Sequence, residues 1–164
     1  MQSLTLDQIR ASFVNTSKRE AAQAIPTVKL DEVNWEKLDI FGWTDAKNPL
    51  VAYVIIPVDG TPVGIMLRAS KTKPKKTMCA FCEDIIDLSE VKLFVAKFAG
   101  AAGRKGDTIG TLAHANFSCS AHARRKPNTM EGKADPEAFI ARRVENLRFN
   151  SQRFAERVLD GERP

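Results

Sequence analysis

Apolar and polar positions along this chain keep different periods in different stretches, and the periods predict the elements. Leu6, Ile9 and Phe13 fall at helical spacing, so the first predicted element is an amphipathic helix. It opens at a capping box, Thr5 to Gln8, in which the threonine hydroxyl accepts from the Gln8 backbone N–H and Gln8 reaches back. Ser17 to Glu20 repeats the device and starts a second short helix through about Ala24, which Pro26 ends. Leu30 to Asp39 reads as a short helical or irregular turn.

The period then changes. Val51–Ile56 and Val63–Leu67 are apolar runs rich in β-branched residues, which read as strands. Asp59-Gly60 between them favours positive φ and predicts a hairpin turn. Val91–Phe98 and Thr108–Leu112 predict two more strands. Residues 99–107, "AGAAGRKGD", hold enough glycine to be expected as a loop. Asn116 or Ser118 can cap a helix running to about Lys126. Asp135 is a good N-cap and Pro136 suits the first turn of a long terminal helix. Ile140, Val144, Leu147, Phe154 and Val158 form its apolar stripe. Arg142, Arg143, Arg148, Arg153 and Arg157 fall mostly off that stripe and are expected in water. The class is α+β: short N-terminal helices, an antiparallel sheet and a long C-terminal helix.

Composition narrows this little. With 164 residues, 43% apolar and 27% charged, the chain suits one globular unit and not a disordered one. No apolar run reaches the roughly 18 residues of a membrane span. The N-terminus has no basic region followed by an apolar block, so no secretory signal is expected and a cytoplasmic protein is. Charge changes the picture more. Residues 1–65 carry a net −2, and residues 66–164 carry +7. A basic C-terminal part suits an acidic protein or a nucleic acid. Its densest run is Arg68, Lys71, Lys73, Lys75 and Lys76, just before a Cys-x-x-Cys pair.

That pair, Cys79 and Cys82, holds the candidate chemistry. Such a pair is either a redox dithiol or half of a metal site. A redox pair opens a helix after a strand, whereas here a lysine-rich segment precedes it. The redox alternative also leaves Cys119 and both histidines idle. Zinc takes four tetrahedral ligands, so Cys79, Cys82 and Cys119 need one of His114 and His122. Spacing leaves both open. Cys119 and His122 would share a helix face at i, i+3, which tips the choice toward His122. His114 and Cys119 would need a strand end and a helix start.

No catalytic set is expected. Ser118 and Ser120 lie near His122 but lack an evident oriented acid, and Asp84 and Asp87 read as solvated turn or helix-start residues. "GRKGDTIG" lacks phosphate-loop spacing. The chain is expected not to be an enzyme.

"MCAFC" followed by "FVAKFAGAAGRKGDTIGTLAHANFSCSAHARRK" resembles the C-terminal treble-clef zinc-finger domain of elongation factor G-binding proteins, a family that includes fusidic-acid-resistance proteins. "QIRASFVNTSKREA" and "FGWTD…YVIIPVDG" also look like its shorter, actinobacterial-type members. The resemblance implies one structural Zn2+ held by Cys79, Cys82, His114 and Cys119, with His122 outside the set. It implies a treble-clef domain over residues 31–164, with residues 1–30 a short helical extension packed on it. The resistance proteins carry a separate N-terminal helical bundle, for which thirty residues are too few. The implied partner is elongation factor G, on or off the ribosome. Candidate contacts are Phe81, Arg104, Lys105, Arg124, Arg125 and Lys126. Lys105 sits where the family places a basic contact residue. Ribosomal RNA is the alternative partner, and a monomer is expected.

Overall fold

The computed structural model describes residues 1–72, 77–84 and 90–161. Lys73, Lys75 and Lys76 of the basic run, and Asp87, lie outside the described residues.

Both capping boxes form. Thr5 and Ser17 each accept from the backbone N–H three residues on, and Gln8 and Glu20 answer. They open α1 (Leu6–Ser12) and α2 (Lys18–Gln23). Two 3-10 turns, Leu30–Glu32 and Trp35–Lys37, follow. The sheet is then built from β1 (Phe41–Thr44), β2 (Val51–Val58), β3 (Thr61–Ala69), β4 (Val91–Lys97) and β5 (Thr108–His114). Strand order equals chain order, and every neighbour is antiparallel. Asp59 (φ 48°) and Gly60 (φ 81°) turn the β2–β3 hairpin in the left-handed region, as the dipeptide predicts.

The unbroken apolar runs have a physical cause: β2 and β3 are covered on both faces. Ala52, Val54 and Ile56 face one core with Ile65, Leu67, Phe94, Leu147 and Phe154. Val51, Tyr53 and Ile55 face a second with Ile9, Trp35, Phe41, Trp43 and Met66. In that second core Trp35, Phe41, Trp43 and Tyr53 stack in series, with ring centroids 5.0–5.3 Å apart. Residues after α1 reach the sheet directly: Val14 N–H donates to Gly64 O, and Asn15 bonds both polar groups of the Met66 backbone.

The long helix forms as its pattern predicts. Asp135 caps α6 (Pro136–Asp160) by accepting from Ala138 N–H, and Gly161 (φ 63°) ends it. Leu147, Phe154 and Val158 are buried, while Ile140 and Val144 are half-buried. Its arginines correct the expectation of a purely solvated face. Arg143 and Arg148 bond across to other elements, because two carboxylates beneath α6 need cations.

Three further features depart from expectation. Residues 99–107 include a helical turn, α3 (Gly100–Arg104). Gly103 serves packing: a Cβ there would stand 1.8 Å from Phe98 O, so only glycine lets this turn close on β4. The helix after Ser118, α4 (Cys119–Ala123), stops before Lys126, since Pro127 disfavours helical backbone in the residue before it. β1 and the five-residue α5 (Met130–Ala134) are too short to carry a periodic signal.

Gly103→Ala is expected to destabilise the chain by about 1–3 kcal/mol through overpacking against fixed backbone. Urea unfolding checks this, and an unchanged midpoint would contradict the close approach.

Candidate metal centre

Three local devices deliver the cysteines and the histidine of the centre. Cys79 and Cys82 lie in a tight turn closed by Glu83 N–H donating to Cys79 O at 2.9 Å, with Glu83 at φ 53°. Ala80 N–H donates to Leu112 O at 2.7 Å and ties this knuckle to the rim of β5. His114 is the last residue of β5, in register with Val91. Phe117, at φ 53°, reverses the chain, and Cys119 then opens α4. The strand end and helix start that an H-x4-C pair needs are both present.

The four side chains are buried, none more than 3% exposed. Their ligand atoms all lie within 4.8 Å of one another. Cys79 Sγ is 3.7 Å from Cys119 Sγ. His114 Nδ1 is 3.5 Å from Cys82 Sγ and 3.7 Å from Cys119 Sγ. A tetrahedral ion with ordinary zinc bond lengths has S–S edges of about 3.8 Å and S–N edges of about 3.6 Å. The observed separations match that frame. All three cysteines are free thiols, and a disulfide would need sulfurs about 2.05 Å apart.

Electrostatics agree with a cation site. Hydrogen bonds from Cys119 and Cys82 hold the Cys79 thiol far below its ordinary range. Hydrogen bonds to Cys79 and Cys82, with burial, push the Cys119 thiol up. Burial alone would lower His114, but its bonds to Cys79 and Cys82 and their negative charge override this and raise it to about 10.

His122 stands outside the four. One turn into α4, its Nε2 lies 3.1 Å from Ser118 Oγ and its Nδ1 3.5 Å from Asp84 Oδ2. Its ring meets His114 edge-on, centroids 4.2 Å apart. The i, i+3 spacing with Cys119 is real, but that turn of α4 faces Asp84 and α6.

Asp84 corrects the expectation of a solvated turn residue. It is 4% exposed, with Arg125 at 3.6 Å and Arg143 at 3.9 Å. It also supplies the acid that Ser118 and His122 were expected to lack. The trio is still an unpromising nucleophile, because Ser118 Oγ donates to Asn116 Oδ1 at 2.7 Å. Nothing in the sequence marks Asp84 as buried except its place two residues after Cys82.

The expected partner contacts divide. Phe81 is 1% exposed and packs on Phe154, centroids 5.6 Å apart. Arg124 is bound to both oxygens of buried Asp39 and to Ser120 O. Arg125 lies beside Asp84. Arg104, Lys105 and Lys126 are exposed.

The model of the FBP C-terminal treble-clef zinc-finger family matches residues 8–158. The chain belongs to this family. Comparison with curated proteins and with solved structures found no match. The match to the treble-clef zinc-finger family runs from α1 into α6, so it takes in the whole five-stranded sheet as well as the metal cluster. In this zinc finger the knuckle, the β4–β5 hairpin and α4 surround the cluster, which suits one structural metal ion. Bound there, a cation would cross-link three segments; with four protein ligands no position is left for a reactive water.

His114→Ala is expected to abolish stoichiometric metal binding, whereas His122→Ala keeps one metal per chain; metal analysis of the purified proteins checks both. Because cations compete with protons on His114 and Cys119, apparent metal affinity is expected to keep rising with pH up to about pH 10, with proton release on loading. A pH-independent affinity by chelator competition would contradict it.

Proposed function

We propose that this chain is a zinc-braced binding protein for elongation factor G. The metal is one structural Zn2+ on Cys79, Cys82, His114 and Cys119. The observation that carries the proposal is the closed four-ligand cluster inside a family match that spans nearly the whole chain. Such a site braces a surface and does not perform hydrolysis, so the protein acts by binding and not as an enzyme.

Charge supports the choice of partner. Residues 66–164 carry a net +7, and Arg104, Lys105 and Lys126 are exposed. Arg124 and Arg125 are engaged within the fold, so they serve as its frame while Arg104, Lys105 and Lys126 meet an acidic region of the factor. Buried Phe81 stiffens the knuckle from within. Docking of this kind would favour a factor conformation that leaves the ribosome, and so relieve fusidic-acid inhibition. The protein works as a monomer in the cytoplasm. Contact with ribosomal RNA is the second reading, favoured by the same positive charge.

Purified elongation factor G is expected to be retained by the immobilised protein at physiological salt after nuclease treatment. Arg104→Glu with Lys105→Glu should slow association and weaken retention. Recovery of partners only through nuclease-sensitive material would overturn the proposal in favour of RNA.

A further inference from the structure

His114 has two ring nitrogens, and the metal cluster accounts for one. Nδ1 faces Cys82 and Cys119. Nε2 is buried and has no hydrogen-bond partner among the described residues. An imidazole that gives Nδ1 to a cation keeps its proton on Nε2. That N–H needs an acceptor, since a buried donor without one is costly. A carboxylate stands near: an oxygen of Asp84, a ring nitrogen of His114 and one of His122 lie within 4.8 Å of one another.

We propose that Asp84 is a positioning residue for the metal ligand His114. With a cation on Nδ1, the Asp84 carboxylate takes the hydrogen bond from Nε2, fixing the tautomer and ring angle and raising the basicity of Nδ1. The inference rests on reading Cys79, Cys82, His114 and Cys119 as a metal site.

Charge separates this role from the other use of the same cluster, a second cation. Arg125 and Arg143 stand 3.6 and 3.9 Å from the carboxylate. A cation there would meet two guanidinium groups; a hydrogen-bond donor meets no such repulsion. The pocket is also held on every side. Asp84 follows Cys82 by two residues, so one turn carries a ligand and its support. His122, between Ser118 and Asp84, lays its ring against His114. Arg143 comes from α6 and donates to the carbonyls of His122 and Arg125, the latter at 3.0 Å. Thus α6 contributes no ligand yet stabilises the pocket that orients one.

The test uses the full chain and two metal probes. Zn2+ affinity is measured by competition with a chromophoric chelator, and site geometry by the absorption bands of the Co2+ form. Asp84→Asn should bind Zn2+ about 10–100-fold more weakly, with displaced Co2+ bands. Asp39→Asn is the control: it removes the other buried carboxylate that joins α4 to α6, and touches none of the four ligands. It should keep wild-type affinity and spectrum. Equal weakening in both variants would overturn the proposal, as would wild-type affinity in Asp84→Asn. Two Zn2+ per wild-type chain would replace it with the second-cation use. If the wild type binds no Zn2+, the metal site itself fails. Should Asp84→Asn not fold, the histidine tautomer of the Zn2+-loaded wild type decides. A slowly exchanging His114 Nε2–H in long-range 15N–1H spectra supports the proposal; a proton on Nδ1 overturns it.

Discussion

One buried cluster of four side chains, each of a metal-ligating type, organises this molecule. Three thiols and an imidazole sit within 4.8 Å, screened from water. Burying thiolate charge is costly unless an opposite charge joins it. A divalent cation bound there would supply it and would fix the angle between knuckle, hairpin and α4. The rest of the fold carries those segments to one point: β5 ends at His114, α4 begins at Cys119, and the knuckle leans on Leu112.

Around that point, α4 is anchored to α6 by two buried carboxylates. Asp39 takes Arg124 from the end of α4 and Arg148 from α6. Asp84 takes Arg125 and Arg143 in the same manner. Neighbouring arginines of one short segment thus serve separate ion clusters. Removing the arginines would leave a buried carboxylate uncompensated, which is destabilising. These residues therefore act as rivets and not as a free basic patch. Arg104, Lys105 and Lys126, by contrast, are exposed.

Local chemistry was legible in the sequence. The capping boxes at Thr5 and Ser17, the Asp59-Gly60 turn and the Asp135 cap are set by residues within a few positions of one another, and each forms. Nonlocal electrostatics was not legible. Asp84 looks like any turn aspartate until α4 and α6 arrive with Arg125 and Arg143. The arginine stripe of α6 looks solvated for the same reason. The two histidines show where spacing stops: i, i+3 tells which residue shares a face with Cys119, but not which face turns toward the knuckle. The family resemblance implies His114, and the structure places His114 with the three cysteines. Gly103 shows the same limit of composition: glycine breaks regular structure in isolation and permits it where backbone must approach backbone.

The Ala80–Leu112 backbone bond bears on solubility. β5 is an outer strand of the sheet, and open strand edges invite pairing with other chains. Ala80 N–H donates to Leu112 O on that edge, and Ala80 sits between two of the four clustered residues. A metal bound at this cluster would thus also guard the edge. Stripping the cation would loosen the knuckle and uncover a strand, so loss of metal would show itself as self-association as well as lowered stability.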